Sequence, residues 1–303
     1  MKKLLLVICC ATLAFSCEDA LVEVPKDFVS NVNFWQNQDD AEAGLKGIYN
    51  VDLIDPFNQQ FLECHSDFAK GRGSWAAISF WQDGFDNTHI GRATTYWWNR
   101  PYSAINRANT VLDNVPAINM NEDRKKEILA EAKFNRAWNY FNLVRGYGPV
   151  PLRLQATKDL SAVDAPRAPV SEVYAQIITD LTEAEADLPN SVGANTRSPT
   201  KWSATMVLAQ VHLTMENWSQ AAAKAQEVIN SGMYSLIPVT TADDFYDIFA
   251  KRPTTEDLLS VHYSATIQDS YVYTLHVGNV PAYNNTSTGF FTTLPVTTTI
   301  LGA

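Results

Sequence analysis

Cysteine is scarce in this chain, and its placement excludes a disulfide framework. The 303 residues contain four cysteines, and Cys9 and Cys10 both lie in an apolar stretch at the N-terminus. Removal of that stretch leaves only Cys17 and Cys64, too few for the cross-linked scaffolds of small exported domains. Because 46% of its residues are hydrophobic, a chain of this length can instead be stabilised by a core of its own.

Basic residues are few and form no tract. Lysine and arginine number 23 against 33 acidic residues, which gives a formal net charge of −10 at pH 7. Nucleic-acid recognition requires a basic surface that neutralises phosphates. The charge balance therefore indicates that nucleic acid is not a partner.

Motifs for catalysis and for metal binding are also missing. Cys64 and His65 are adjacent but have no further partners at zinc-ligand spacing. No Gly-x-Ser-x-Gly elbow occurs, and nothing selects a pair of carboxylates for glycoside hydrolysis. The sequence therefore offers no catalytic residue, metal site or cofactor site, and we expect no enzyme activity; an exported glycosidase is the alternative, and it rests on composition alone. The histidines show no metal-ligand pattern: His65, His89, His212, His262 and His276.

The N-terminus, MKKLLLVICCATLAFSC, has the organisation of an export signal. Two lysines precede an apolar run over residues 4–14, shorter than the roughly 20 residues of a membrane span. The ending Ala-Phe-Ser-Cys resembles a bacterial lipobox, in which the cysteine is lipidated and becomes the mature N-terminus. A plain secretory signal with a chance cysteine is the alternative. We expect residues 1–16 to be removed, Cys17 to carry the lipid, and residues 17–33 to form a tether.

Apolar residues recur with helical periodicity in four segments between residues 34 and 189. In the first segment, Ala43, Ile48 and Tyr49 are predicted to share one side of the helix. Pro116 is predicted to end the second helix, and Ser171 or a neighbour to cap the fourth. The segments are NFWQNQDDAEAGLKGIYNVD, YWWNRPYSAINRANTVLDNVPAI, NEDRKKEILAEAKFNRAWNYFNLVRGYG and PVSEVYAQIITDLTEAEADLP.

The third helix carries many aromatic residues, which favour either a ligand platform or a packing face. Phe134, Trp138 and Phe141 recur at i, i+4 and i+7, the spacing of a stripe that packs against neighbouring helices. This spacing favours core packing. The ending Gly-Tyr-Gly-Pro predicts a helix stop, with Gly146 or Gly148 at positive φ.

Residues 202–234 predict a pair of helices. Their spacing resembles a tetratricopeptide repeat, in which small residues let two antiparallel helices approach closely. An ordinary helical hairpin is the alternative. Beyond residue 235 the sequence predicts short strands and loops. The small or packing positions of the pair are Leu208, Ala209, His212, Trp218, Ala221, Ala225 and Val228.

Four blocks, in order along the chain, resemble the SusD/RagB family of outer-membrane nutrient-binding lipoproteins. The most specific is EAKFNRAWNYFNLVRGYGPVPL, with its Arg-Ala-Trp and its Gly-x-Val-Pro close. The resemblance implies a mainly α fold built on tetratricopeptide-like helix pairs, with irregular loops and a few short strands. The other blocks are WNRPYSAINRANTVLDNV, PRAPVSEVYAQIITDLTEAEADLP and RSPTKWSATMVLAQVHLTMENWSQAAAKAQEVINSGMYSL.

The same resemblance implies a lipid-anchored protein on the outer membrane that faces the outside. Such proteins bind glycans and deliver them to a SusC-like TonB-dependent transporter. Binding of peptides or proteins on the helical repeats is the alternative. Glu18-Asp19 resembles the surface-export signal of Bacteroidetes-type lipoproteins. Family members usually run well past residue 303, so we expect residues 34–303 to be a SusD-like helical domain that is incomplete at its C-terminus.

Sugar recognition requires aromatic faces that stack on pyranose rings, with polar side chains beside them. Residues 66–98 have this mixture without helical or strand periodicity, and in the family this region commonly contributes ligand contacts. The alternative is that these aromatic residues pack the loop onto the helices. Residues 280–291, VPAYNNTSTGFF, are a second candidate segment. The ligand contacts we predict are Asp67, Arg72, Trp75, Trp81, Asp83 and Asn87.

Overall fold

Helices dominate the structure, a computed structural model that describes residues 34–49, 69–71, 91, 97–158, 164–241, 244, 253–260 and 291–293. A 3-10 turn, Val115–Ala117, follows the second helix. The prediction of a mainly α fold is confirmed. Within the described ranges the helices are α1 (Gln38–Tyr49), α2 (Arg100–Asn114), α3 (Glu122–Tyr147), α4 (Val170–Asp187), α5 (Lys201–Thr214) and α6 (Trp218–Asn230).

The strands are short and form two antiparallel pairs. β1 (Ala69–Gly71) pairs with β4 (Phe291–Thr293). β2 (Val150–Pro151) pairs with β3 (Arg167–Ala168), so that Val150 lies opposite Ala168. The β2–β3 pair joins the two ends of the connection between α3 and α4 and holds that connection against the helices.

α3 lies at the centre of the fold. α2 and α4 pack against it, α1 contacts both α2 and α3, and α5 and α6 continue the stack beyond α4. Phe134, Tyr140 and Phe141 are fully buried in the main core cluster, and Trp138 packs against that cluster from its edge. The interpretation of the aromatic stripe as a packing face is confirmed.

The ends of α3 follow from local chemistry. The Asn121 side chain accepts a hydrogen bond from the Arg124 N–H at 2.9 Å, which caps the first turn. At the other end Gly148 has φ of +68°, a conformation that only glycine adopts readily. Of the two glycines in Gly-Tyr-Gly-Pro, Gly148 is therefore the one that turns the chain.

Two local predictions are wrong. α4 has Pro169 at its N-cap and no side-chain cap, because the chain enters the helix through proline, so Ser171 does not cap it. In α1 the buried residues are Ala41, Leu45 and Ile48, whereas Ala43 is exposed. These three residues recur at i, i+4 and i+7, the stripe that faces a second core cluster on α2 and α3.

The predicted helix pair over residues 202–234 is confirmed as α5 and α6, which pack against each other across residues 215–217. A capping box in which Thr200 and Ser203 bond reciprocally starts α5. Leu208 and Val228 are buried as expected, but Trp218 is 61% exposed. Trp218 is the first residue of α6 and lies off the side that faces α5.

A buried carboxyl group joins α1 to α3. The Tyr49 hydroxyl donates a hydrogen bond to Glu131 and accepts one from the Asn135 amide at 3.2 Å. Burial raises the pKa of Glu131, because the ionised carboxylate is poorly solvated there. Arg124 and Glu42 form a separate ion pair between the same helices at 2.6 Å.

None of the helices in the described part of the chain is both long and apolar enough to cross a membrane. The same residues contain no group of three or more histidine, cysteine, aspartate or glutamate side chains placed to hold a metal ion.

Candidate ligand-binding site

An aromatic cluster lies where the start of α2 meets the end of α3. It consists of Trp97, Trp98, Tyr102 and Tyr147. The Tyr147 ring lies 6.5 Å from Trp97 and 5.1 Å from Trp98, both in edge-to-face geometry. Trp98 and Tyr102, one turn apart, have ring centroids 5.0 Å apart. The cluster thus groups four rings on one side of the helical core.

The local sequence explains this geometry. Residues 97–99 form a π-helical turn before α2, a feature often found at functional sites. The Trp97 ring lies beside Gly146 of α3, where an added Cβ atom would be 3.4 Å from the ring, an ordinary van der Waals contact. Within Gly-Tyr-Gly, the chain turn requires glycine at Gly148, and Tyr147 supplies one ring of the cluster.

The inner side of the cluster is anchored by tyrosine hydroxyls. The Tyr102 hydroxyl donates to the Pro151 carbonyl at 2.7 Å. The Tyr140 hydroxyl donates to the Arg153 carbonyl at 2.8 Å and accepts from the Arg153 N–H at 2.6 Å. Burial raises the pKa of Tyr140 and of Tyr147 to about 12, so both hydroxyls stay neutral at physiological pH.

A buried polar network lies beneath residues 150–158. The Arg136 guanidinium binds both oxygens of Asp180, at 2.8 and 2.7 Å, and the Asn109 side-chain oxygen at 2.9 Å. The Asn109 amide donates to the carbonyls of Arg153 and Gln155, at 3.0 and 3.1 Å. The network connects α2, α3, α4 and the connecting segment, and it fixes the backbone of that segment.

A cavity of about 160 Å³ lies between α2 and residues 153–157. Tyr102 belongs both to the aromatic cluster and to the wall of this cavity. The Thr157 N–H donates to the Asn106 side-chain oxygen at 2.8 Å and closes one side. The lining residues are Tyr102, Ile105, Asn106, Asn109, Arg153 and Thr157.

All the site residues predicted from the sequence lie outside the described residues, and so does the predicted lipidation site, Cys17. The structure does bring parts of the two candidate segments together. β1 lies within residues 66–98, and it pairs with β4, whose first residue closes the segment 280–291. The predicted ligand contacts that lie outside the described residues are Asp67, Arg72, Trp75, Trp81, Asp83 and Asn87.

Sequence reasoning did not identify Trp97 and Trp98 as site residues, because it assigned them to a helix start. The available signal was their position at the last two residues of the aperiodic segment 66–98. Arg136 and Asn109 were likewise missed, since nothing local indicates that they meet.

Comparison with known proteins gives the family. A family model described as "Starch-binding associating with outer membrane", SusD-like_3, matches residues 26–213. The chain belongs to the SusD-like family. SusD-like protein P2 of Formosa agariphila is 29% identical over 267 residues, covering 84% of this chain and 51% of that protein. A SusD-like protein of Bacteroides ovatus is 28% identical over 233 residues, covering 74% of this chain and 41% of that protein.

Solved structures of SusD-like proteins show the same fold. A laminarin-binding SusD-like protein is 28% identical with a TM-score of 0.63, over 74% of this chain and 51% of that one. A SusD-like protein from Bacteroides fragilis is 21% identical with a TM-score of 0.69, over 84% and 51%. This chain spans about half the length of the curated relatives it matches, from 41% to 51%.

Proposed function

We propose that this SusD-like protein binds glycans at the outer face of the outer membrane and delivers them to a SusC-like TonB-dependent transporter, without catalysing a reaction. The observation that carries the proposal is the aromatic cluster at the end of the aperiodic segment 66–98. Glycan binding by aromatic stacking needs ring faces that are fixed but only partly covered. Trp97, Trp98 and Tyr147 are partly buried and held in edge-to-face contact.

The physical argument rests on the rigidity of the cluster. Tyr102 is anchored by its hydroxyl to Pro151, and it contacts Tyr140 in turn at a centroid distance of 6.4 Å. Rings that are already immobilised lose little side-chain entropy when a sugar stacks on them. The family model, described as starch-binding, and the similar laminarin-binding protein support a glycan as the ligand.

The location follows from the N-terminus. In the proposed arrangement residues 1–16 are a signal peptide, Cys17 carries the lipid, and residues 17–33 tether the domain that begins at residue 34. The description of the family model as associating with the outer membrane supports this arrangement. The test is the Cys17→Ala variant, which we expect to lose labelling by radioactive palmitate and to leave the membrane fraction. Unchanged labelling would show that the lipobox is misassigned.

A peptide or protein ligand is the second candidate, and one observation favours it. The α5–α6 pair exposes large apolar side chains, with Trp218 61% and Ile229 67% exposed. Helical repeats bind peptides through such surfaces. This surface belongs to a different part of the fold from the aromatic cluster, so the two candidates can be separated with matched tryptophan variants.

The deciding experiment is calorimetry with soluble starch, laminarin and a peptide library, on the wild type, Trp97→Ala and Trp218→Ala. We expect Trp97→Ala to weaken glycan binding by about 1–3 kcal/mol, the range for a stacked aromatic anchor. Trp218→Ala also removes a tryptophan side chain, but from the α5–α6 surface, and it should leave glycan affinity unchanged. Peptide binding that is sensitive to Trp218→Ala, with no glycan binding, would establish the second candidate instead. Trp75→Ala and Trp81→Ala test the predicted contacts in the same way.

A further inference from the structure

We propose that the cavity beside the aromatic cluster is a subsite that takes a single pyranose residue of the bound glycan. The inference rests on the proposed function and goes beyond it, because it assigns a distinct second site and the size of its occupant. The cavity lies between α2 and residues 153–157 and measures about 160 Å³.

The cavity and the aromatic cluster lie on one face of α2. Trp98, Tyr102, Ile105 and Asn109 recur at i, i+4, i+7 and i+11, the spacing of one helix face. Trp98 and Tyr102 belong to the aromatic cluster, and Tyr102, Ile105 and Asn109 line the cavity. Ile105 and Asn109 are buried on this face, so a ligand enters the cavity from the side of Asn106, which is partly exposed, and Thr157, which is exposed.

The volume selects the size of the occupant. A cavity of about 150 Å³ accommodates one six-membered ring, whereas pockets for larger ligands start at about 300 Å³. At about 160 Å³ this cavity has room for a single ring and is about half the size at which pockets for larger ligands start. The subsite is accordingly assigned to one residue of the glycan, not to a length of chain.

The lining has the two kinds of surface that a pyranose needs. Tyr102 and Ile105 supply apolar contacts for the C–H groups of the ring. Asn106 uses its side-chain oxygen for the Thr157 N–H at 2.8 Å, and within the described residues its NH₂ group makes no hydrogen bond. The Thr157 hydroxyl makes none either in that part of the chain, so both groups are available for sugar hydroxyls.

The walls of the cavity are held in place before a ligand arrives. Asn109 cannot contribute a further donor, because both amide hydrogens are used on the carbonyls of Arg153 and Gln155. Its oxygen accepts from Arg136, which is itself paired with Asp180. Asn109 therefore acts as a rigid wall, and Asn106 and Thr157 are left to recognise the ligand.

The test uses variants that keep shape and change hydrogen bonding. Asn106→Asp retains the oxygen that accepts from the Thr157 N–H but removes the NH₂ donor, and Thr157→Val removes only the hydroxyl. Asn114→Asp is the control, since it makes the same change on the same helix. The Asn114 amide donates to the Thr110 carbonyl at 2.7 Å and does not line the cavity.

Binding of methyl β-D-glucopyranoside is measured by NMR titration, and laminarin binding by calorimetry. We expect each cavity variant to weaken monosaccharide binding about fivefold or more, and the control to leave it unchanged. Thermal melting checks that all variants are folded, and Thr157→Val serves as the second variant because residue 157 is exposed. Monosaccharide binding that is equal in wild type, both cavity variants and control would overturn the subsite.

The two proposals fail in different ways. If laminarin binding depends on Trp97 but no variant of Asn106 or Thr157 affects any sugar, the subsite is wrong and the glycan-binding function stands. If the folded wild type binds neither starch nor laminarin nor the monosaccharide, the proposed function fails, and the subsite fails with it.

Discussion

The buried ion pair between Arg136 and Asp180 gives the sharpest prediction for stability. The two side chains are only 9% and 1% exposed, and their closest atoms are 2.7 Å apart. In Arg136→Met the apolar stem of the side chain is preserved, but among the residues that the structure describes Asp180 keeps only the Gln176 amide as a partner, at 2.9 Å. Asn109 also loses the donor to its side-chain oxygen.

Removing one partner of a buried pair costs about 3–5 kcal/mol, because the remaining charge stays buried without compensation. With a urea m-value of about 2 kcal/mol/M, we expect the unfolding midpoint of Arg136→Met to fall by about 1.5–2.5 M. The assay is urea unfolding followed by tryptophan fluorescence.

The same two helices provide the control. Lys133 and Glu183 also pair across α3 and α4, at 2.7 Å, but are 26% and 50% exposed. Lys133→Met should change the free energy of unfolding by about 0–1 kcal/mol, as for other solvated pairs. The double variant Arg136→Met/Asp180→Leu removes both buried charges and should regain most of the lost stability. Equal effects of Arg136→Met and Lys133→Met, or no recovery in the double variant, would refute the argument.

Two further predictions concern the backbone and pH. Gly148→Ala should lower the free energy of unfolding by about 1–3 kcal/mol, because φ is +68° at that position. Gly47→Ala should raise the free energy of unfolding by about 0.5–1 kcal/mol, because Gly47 lies within helix α1. Neither new Cβ meets an atom within 4 Å, so chemical unfolding compares backbone effects alone, and equal shifts would contradict this reading. Burial raises the pKa of Glu131 above its ordinary 4.5. The contribution of the protonated group to the free energy of unfolding is therefore complete below pH 4.5, and it is lost as pH rises through the folded-state pKa. The free energy of unfolding of Glu131→Gln relative to the wild type should therefore rise as pH increases from 4.5 through the folded-state pKa of Glu131. A pH-independent difference would show that Glu131 does not titrate in this way.

The sequence predicts the helices well because their signals are local. Pro116, Gly148 and the acidic first turn of α3 end or start helices through interactions within a few residues. The faces are harder to predict, as α1 shows, because small alanines occur on both its buried and its exposed sides. α3 has no single apolar face, since it is surrounded by other helices and buries polar residues such as Arg136 and Asn139.

The candidate site could be predicted only in part, because its geometry depends on contacts between distant residues. Trp97 meets Tyr147 across 50 positions of sequence, and the cavity requires α2 to face residues 153–157. Neither contact leaves a periodic signal. The aromatic and polar composition of residues 66–98 indicates recognition chemistry, but composition alone cannot identify which rings are fixed against the helices.

The segment after β2 shows how an irregular stretch can serve as a rigid wall of a binding site. Residues 152–158 have no regular structure, yet the carbonyl groups from residue 151 onward are held by side chains from α2 and α3. Tyr102 binds the carbonyl of residue 151, Tyr140 and Asn109 bind that of residue 153, and Asn109 also binds that of residue 155. These hydrogen bonds replace the pairing that a strand would provide. Because the donors lie on packed helices, the position of the wall depends on the helical core, so substitutions of the segment's exposed side chains should alter ligand contacts without unfolding the protein.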